Sequence, residues 1–196
     1  MININKCKNL FVIAIVLFSI HGVLLFGQET EETDVVSSAT KEEYTMEPIV
    51  RIVKLDPIRV AVCNRVSKSP ENDSYEAMRA WAEPKGLLDD PVKYPLFGRN
   101  NPNPSPDKEE YGYDFMLAVP ADMEIDGEMK EGEIPGGSYA VVRTHFSTIT
   151  DMWYWLYNWT KEKDYKVTGH GYEEHIIGVD VKNPDNMLFD LWLQIE

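Results

Sequence analysis

The sequence predicts an α+β fold of two strand-helix-strand-strand repeats, in which an antiparallel sheet carries helices on one face. Three observations predict it: strand-like segments that recur at a similar offset, one amphipathic helix within each repeat, and short turns between strands. Turns such as 56–57 (Asp-Pro) and 134–137 (Ile-Pro-Gly-Gly) are too short for the crossover connections that parallel strands need. Antiparallel pairing is therefore expected, with the helices covering one side.

The repeat is visible in two pairs of segments. Residues 60–67 (VAVCNRVS) resemble residues 140–147 (AVVRTHFS), and residues 113–119 (YDFMLAV) resemble residues 189–195 (FDLWLQI). The offsets, 140 − 60 = 80 and 189 − 113 = 76, are close enough for one duplication with a small change of length. A duplicated unit predicts a cleft between two similar halves. Chance similarity between alternating strands is the competing explanation.

Each repeat contains one predicted helix, and an additional strand at 50–55 precedes the first repeat. Ser69 is placed as the N-cap of the first helix, with Pro70 at its first position and Gly86 beyond its end. Thr148 and Asp151 have capping-box spacing at the start of the second helix. The apolar stripes that should face the sheet are Tyr75, Met78, Trp81 and Ala82 in the first helix, and Ile149, Met152, Trp153 and Leu156 in the second.

The first 27 residues have the layout of a signal peptide, because two lysines and no acidic residue precede the apolar run 10–26. Cleavage near residue 27 would give an exported protein, periplasmic or extracellular, whereas an uncleaved run would be long enough to anchor the chain in a membrane. Residues 28–47 are rich in Glu, Thr and Ser and are expected to form a flexible acidic tether. The folded domain is expected at 48–196.

Composition limits the classes of partner. The chain has 33 acidic and 19 basic residues, and its net charge of −14 disfavours nucleic acid and favours cationic or neutral partners. A hydrophobic fraction of 43% is sufficient for a packed core. Cys7 belongs to the leader, so Cys63 would remain as a lone thiol, and it is predicted to be a small core residue rather than a nucleophile.

From residue 49 onwards, several motifs taken in order resemble the GyrI-like small-molecule-binding domain, which also serves as the effector domain of AraC-type and MerR-type regulators. Members of that family are built from two strand-helix-strand-strand repeats, which agrees with the duplication. No helix-turn-helix pattern precedes residue 48, so a transcription factor is not expected. The motifs are Phe97-Gly98, the Asn-Pro-rich loop 100–107, 111–115 (YGYDF), 135–141 (PGGSYAV), Trp153, Leu156, Tyr157, Trp159 and 172–175 (YEEH).

The resemblance implies multidrug-type binding of lipophilic, often cationic small molecules in an aromatic pocket between the repeats, with one glutamate facing the ligand. By motif position this residue is Glu173, while Glu174 should point to the opposite face of its strand. A carboxylate among aromatic rings loses hydration and favours a desolvated cation, to which the ring faces add cation–π attraction. The candidate rings are Tyr111, Tyr113, Trp155 and Trp192.

Two other functions remain open. One is a hydrolase of reactive lipophilic molecules, with Glu173 as general base and Tyr113 as hydrogen-bond donor. The other is a protein-interaction module that uses the acidic surface. A metal site is not expected, although His170, Glu173 and His175 are close in sequence, because residues 170 and 175 would face opposite sides of a strand. We therefore expect neither a metal nor a cofactor, and a non-catalytic binding protein is favoured over an enzyme.

Overall fold

The computed structural model describes residues 47–176 and 183–196. The predicted leader, and the tether except for its last residue, lie outside the described residues. Within these two ranges, no helix combines the length and the apolar character that crossing a membrane requires.

The described ranges contain eight strands and two α-helices. The strands are β1 (Val50–Leu55), β2 (Ile58–Ser67), β3 (Leu96–Asn100), β4 (Tyr111–Ala118), β5 (Lys130–Ile134), β6 (Gly137–His145), β7 (Val167–His175) and β8 (Leu188–Ile195), and the helices are α1 (Pro70–Ala82) and α2 (Ile149–Glu162). The strands form one antiparallel sheet in the order β1-β6-β8-β7-β3-β4-β2-β5. The α+β class and the repeats β2-α1-β3-β4 and β6-α2-β7-β8 are confirmed, and β5 is a strand that the predicted repeats do not include.

Strand pairing shows how the two repeats correspond, and it corrects one offset. Tyr113 and Phe189, 76 residues apart, both lie under the helices. In the first strands, however, Ala61 and Ala140 are the equivalent residues, because their partners Leu117 and Leu193 are also 193 − 117 = 76 apart. The offset there is 140 − 61 = 79, and the expected 80 is wrong, because a shift of one residue moves every side chain to the other sheet face.

Each helix packs its apolar stripe on its own half of the sheet. Met78 and Ala82 of α1 are fully buried in a cluster with β2 and β4, and Leu156 of α2 is fully buried in a cluster with β6 and β8. Burial of one Met or Leu side chain contributes about 1.5–3 kcal/mol, so these contacts fix each helix to its strands. Cys63 lies in the first cluster, as predicted, and burial raises the pKa of its thiol. We call this side of the sheet the helix face.

The sheet bends strongly towards its other side. β1 and β2 occupy the first and seventh positions in the sheet but are joined by only two residues, 56–57. Three peptide steps reach about 10 Å, whereas six strand spacings in a flat sheet measure about 29 Å. The two ends of the sheet must therefore approach each other. A third apolar cluster, which includes the buried Val60, Tyr139 and Val141, fills the inside of the bend, here called the concave face.

The helix ends follow the sequence only in part. Ser69 is the N-cap of α1 and Pro70 is its first residue, but the Ser69 side chain accepts no hydrogen bond from the first turn of the helix. Gly86 adopts φ 67° after the 3-10 turn Glu83–Lys85 that follows the helix, a conformation that glycine allows without strain. The capping-box expectation for α2 is wrong. Thr148 is the N-cap, but its hydroxyl donates to the carbonyl of His145 at 3.2 Å instead of accepting from the helix, because a turn of 3-10 helix precedes α2.

Candidate functional site

The two repeats meet at the central strands β3 and β7. Gly98 of β3 pairs with Glu173 of β7 across this boundary. Gly98 also pairs with Phe115, and Glu173 with Leu191, and these two partners are again 191 − 115 = 76 residues apart. Gly98 and Glu173 are therefore equivalent positions of the two repeats. Only one of them has a side chain, so the boundary carries a single carboxylate on the helix face.

The Glu173 carboxylate is held by one residue from each repeat. The Tyr113 hydroxyl, from β4, donates to Oε2 at 2.7 Å, and the Trp153 indole Nε1, from α2, donates to Oε1 at 3.0 Å. Both carboxylate oxygens thus have a donor in a defined position. Glu174 lies on the concave face, as expected from strand alternation, and accepts from Trp192 Nε1 at 2.9 Å.

Two glycines make room for the rings that reach Glu173. A Cβ atom on Gly98 would lie 2.0 Å from the Tyr113 hydroxyl oxygen, and a Cβ on Gly171 would lie 2.6 Å from the Trp153 indole. Both distances are far below van der Waals contact. The absence of side chains at these positions therefore allows a tyrosine from β4 and a tryptophan from α2 to cross the central strands.

The carboxylate has no basic partner in the part of the chain that the structure describes. Within the described residues, no lysine, arginine or histidine forms a salt bridge with Glu173, which is half-buried. Burial raises the pKa of Glu173, the hydrogen bonds from Tyr113 and Trp153 lower it, and the nearby Glu71 raises it, with a net upward shift. Burial, together with the Glu173 charge, holds the pKa of Tyr113 well above its ordinary value, so its phenol remains a donor. The arrangement holds a negative charge that is neither fully hydrated nor neutralised.

Glu173 opens onto a cavity of about 330 Å³. Its volume lies within the range of pockets that bind small molecules. The Arg99 guanidinium is neutralised by Asp114, whose carboxylate lies 3.1 Å away, so Glu173 brings an uncompensated charge to the cavity. Both repeats contribute to the lining, which consists of Arg99, Asn100, Asn103, Trp153, Gly169, His170, Gly171, Glu173 and Leu193.

The Asn-Pro-rich loop supplies one side of this cavity. The backbone N–H of Asn101 donates to the carbonyl of Gly112 at 2.7 Å, and the N–H of Gly112 donates to the carbonyl of Pro102 at 2.9 Å. These bonds attach the loop to the start of β4. The attachment places Asn100 and Asn103 at the cavity.

Tyr111 lies on the same strand face as Tyr113 but bonds to a different carboxylate. Its hydroxyl donates to Glu71, in the first turn of α1, and lies 2.8 Å from each carboxylate oxygen. Burial and this hydrogen bond raise the pKa of Tyr111. The cavity lining does not include Tyr111. Tyr111 and Glu71 instead form a second tyrosine–glutamate pair next to Tyr113 and Glu173.

The two predicted tryptophans lie away from the Glu173 carboxylate. Trp155 is half-buried and packs in the α2 cluster of the helix face. Trp192 lies on the concave face, where its ring contacts Phe97 and Tyr139 edge-on and its N–H bonds to Glu174. Of the four rings predicted from the sequence, Tyr113 alone hydrogen bonds to Glu173 within the described residues, and none of the four belongs to the cavity lining.

Trp153 is the main residue that the sequence did not indicate as functional. Its place in the apolar stripe of α2 predicts a core role, and it does pack in that cluster. A buried tryptophan N–H nevertheless needs an acceptor, and this requirement is the signal that could have identified Trp153. Asn100 and Asn103 belong to the Asn-Pro-rich loop, for which the sequence allows a pocket lip but favours a plain surface connection, and nothing in the pattern indicated these two asparagines individually.

Within the described residues, His170, Glu173 and His175 do not form a group that could hold a metal ion. His175 is buried between the rings of Phe115 and Phe189, at centroid distances of 5.1 and 4.7 Å, and neither of its nitrogens has a hydrogen-bond partner. Burial lowers the pKa of His175 to about 3. His170 is exposed and lines the cavity. Neither histidine hydrogen bonds to Glu173 in the described part of the chain.

Comparison with known proteins gives a family match and several similar folds. Residues 49–196 match the family model described as GyrI-like small molecule binding domain. No curated protein matches the chain. The crystal structure of the EcmrR C-terminal domain is similar with a TM-score of 0.58 at 14% identity, over 77% of this chain and 99% of that domain. A hydrolase from Listeria innocua is similar with a TM-score of 0.56 at 10% identity, over 78% of this chain and 94% of that one.

EcmrR in its cryo-EM complex with DNA is also similar, with a TM-score of 0.59 at 15% identity over 80% of this chain. The match covers 60% of that EcmrR chain, so the present chain corresponds to only part of the relative. At identities this low, the three structures establish a shared fold.

Proposed function

The chain belongs to the GyrI-like small-molecule-binding domain family, and on that premise we propose that it binds a lipophilic cation in the cavity beside Glu173. The observation that supports this proposal most strongly is the half-buried carboxylate, held by Tyr113 and Trp153 and free of any salt bridge within the described residues. A bound cation stabilises a desolvated carboxylate more than it stabilises an exposed one, because little water is left to compete with the cation.

The surroundings of Glu173 favour a cation that also has apolar surface. Trp153 lines the cavity and offers a ring that can contribute about 0.5–2 kcal/mol of cation–π attraction. Leu193 adds an aliphatic side chain to the lining. The donors at both carboxylate oxygens already hold the glutamate in place, so ligand binding requires little further ordering of its side chain.

A fluorescence titration tests this function. Methyltriphenylphosphonium and its neutral relative triphenylphosphine oxide have similar size, and either ligand, bound next to Trp153, should change the tryptophan emission. We expect saturable binding of the cation, with an affinity at least tenfold above that of the neutral compound, and at least a tenfold loss of cation affinity in Glu173→Gln. The matched control is Glu174→Gln, one residue away on the concave face, which should stay within twofold of the wild type.

Two results of this titration would refute the proposal. One is equal affinity for the cation and the neutral compound in the wild type. The other is an equal loss of affinity in the two glutamate variants, because this would show that residue 173 has no special role.

Hydrolysis is a second candidate function, favoured by the 2.7 Å contact between the Tyr113 phenol and Glu173. In that function the carboxylate would take a proton from an attacking water, and the Tyr113 phenol would turn from Glu173 to the substrate oxygen, donate its proton there and regain one from Glu173. Incubation with a lipophilic epoxide such as styrene oxide, followed by chromatography of the diol, separates the two functions. A binding protein should leave diol formation at the rate of buffer alone. Turnover that Glu173→Gln abolishes while binding persists would establish the enzyme.

We also propose that the protein acts outside the cytoplasm, which rests on the signal-peptide layout of the first 27 residues. Expression of the full chain in a bacterial host, followed by fractionation and intact mass measurement, tests this location. A mature protein that begins near residue 28 in the periplasm or medium is the expected result. Full-length protein in the membrane fraction would instead indicate an anchor at 10–26.

A further inference from the structure

Asn100, the last residue of β3, has an unusual side chain. It lines the same cavity as Glu173, and its Oδ1 atom is buried without a hydrogen-bond partner among residues 47–176 and 183–196. The neighbouring Asn101 differs, since its side-chain amide donates to Asp114 at 2.9 Å. Buried acceptors in folded proteins nearly always have a donor, because an unpaired one destabilises the fold. The unpaired carbonyl of Asn100 therefore requires an explanation, and its position at a cavity suggests a ligand.

The strand register places Asn100 at a defined distance from Glu173. Gly98 pairs with Glu173, and Asn100 lies two residues further along β3 on the same face. Two residues of a strand advance about 7 Å. Continuing the antiparallel register sets Asn100 opposite Gly171, which has no side chain to contact it. The two side chains thus start about 7 Å apart, a distance that a chain of about four to five atoms spans.

We propose that Asn100 determines ligand specificity by accepting a hydrogen bond from the bound molecule. This inference rests on the function proposed above and narrows it: the preferred ligand is a lipophilic cation with an O–H or N–H donor about 7 Å from its positive centre. A ligand with such a donor gains a bond to the buried carbonyl. A purely hydrocarbon cation leaves that carbonyl unpaired and gains nothing there, which is how polar sites discriminate between molecules of equal shape.

Matched phosphonium ions test this specificity. Triphenylphosphonium carrying a 3-hydroxypropyl, 4-hydroxybutyl or 5-hydroxypentyl chain is compared with its butyl, pentyl or hexyl counterpart, in which a methyl group replaces the hydroxyl. For each pair, the ratio of the two dissociation constants is measured in the wild type and in Asn100→Leu. For at least one chain length, we expect the dissociation constant of the alkyl compound divided by that of the hydroxyl compound to be at least five times larger in the wild type than in Asn100→Leu. The affinity of Asn100→Leu for the alkyl compounds should stay within twofold of the wild-type affinity.

Two further variants keep the test decisive. Asn158→Leu replaces an exposed asparagine of α2 that is not part of the cavity lining, and it should leave the wild-type ratio unchanged. Asn100→Asp keeps the shape and the acceptor, so it should retain or increase the preference for the hydroxyl compound, and it replaces Asn100→Leu if that variant does not fold. A ratio that is the same in the wild type and in Asn100→Leu, or an Asn100→Asp variant that loses the preference, would overturn the inference.

The two proposals fail in distinguishable ways. If butyltriphenylphosphonium binds in a Glu173-dependent manner but no hydroxyl preference depends on Asn100, the specificity inference fails alone. If neither phosphonium binds the wild type, the proposed function fails and the specificity inference fails with it.

Discussion

Glu173 and His175 lie two residues apart on the same face of β7, and burial shifts their pKa values in opposite directions. Burial disfavours the charged form of each group. It therefore raises the pKa of the Glu173 carboxyl and lowers the pKa of the His175 imidazole to about 3. Glu173 differs in having two hydrogen-bond donors and a cavity beside it, whereas His175 lies between phenyl rings with no partner. One residue is suited to bind a charge, and the other to remain neutral.

The raised pKa of Glu173 predicts that binding of a permanent cation weakens in acid. Methyltriphenylphosphonium does not titrate, so a loss of affinity on acidification reports protonation of a group in the protein. Protonation of Glu173 removes the counter-charge, and because its pKa is raised, this occurs at a higher pH than for an ordinary glutamate. We expect the dissociation constant, measured by tryptophan fluorescence between pH 8 and pH 5, to rise as the pH falls. The Glu173→Gln variant should show a flat profile, and an equally steep profile in that variant would contradict this assignment.

His175 predicts part of the acid sensitivity of the fold. Its folded pKa lies far below the ordinary value of 6.5, so the unfolded chain binds a proton more readily than the native state. Its contribution to stability is complete above pH 6.5 and is lost as the pH falls towards 3, by up to about 1.4 kcal/mol per pH unit. Urea denaturation at pH 7 and pH 4.5 should show a smaller loss of unfolding free energy in His175→Leu than in the wild type. Equal losses would show that the imidazole is not the titrating group.

At the scale of the elements, the sequence predicted the strands and helices well but not the ring contacts between them. The apolar stripes of α1 and α2 follow from the 3.6-residue period, and Met78, Ala82 and Leu156 are buried as that period requires. The contact of Tyr113 and Trp153 with Glu173 depends on which strands become neighbours. The pairing of β3 with β7, whose sequences are about 70 residues apart, has no local signal in the chain.

The central strands also predict a specific energetic coupling. A methyl group on Gly98 would collide with the Tyr113 ring, so Gly98→Ala should lower the unfolding free energy by about 1–3 kcal/mol, the usual cost of overpacking. In a Tyr113→Leu background, where the ring is absent, the same substitution should cost less than 1 kcal/mol, in the range of ordinary conservative changes. Urea denaturation of the four proteins of this double-mutant cycle measures the coupling. Additive effects would mean that the Tyr113 ring does not lie over Gly98.

At the scale of the whole molecule, two similar repeats form one asymmetric site at their boundary. The repeat and the succession of strands and helix along each half of the chain were predicted from the sequence, but the order of the strands in the sheet was not. The alignment of β2 with β6 was one residue out, because alternating strands match almost equally well in either phase. The correct register follows from the pairing of β2 with β4 and of β6 with β8. The pairing of β3 with β4 and of β7 with β8 likewise shows that Gly98 and Glu173 are equivalent. The second repeat supplies the charged residue, Glu173. The first repeat supplies Gly98, whose lack of a side chain leaves the space that the Tyr113 ring fills.

This asymmetry predicts the stoichiometry of binding. A symmetric repeat would offer two equivalent sites, whereas the described residues place one carboxylate at the boundary between the halves. Isothermal titration calorimetry with methyltriphenylphosphonium should give one ligand per chain, and the heat should disappear in Glu173→Gln. Two equivalent ligands per chain would show that each repeat binds independently.

The central claim is that Glu173, held by Tyr113 and Trp153, is the counter-charge for a bound cation. A crystal structure of the protein with methyltriphenylphosphonium tests it most directly. The account predicts that the phosphonium lies in the cavity lined by Trp153 and Leu193, with the phosphorus within about 6 Å of the Glu173 carboxylate, the range of cation–π and ion-pair contacts. A cation bound elsewhere, with the cavity at Glu173 occupied only by solvent, would contradict it.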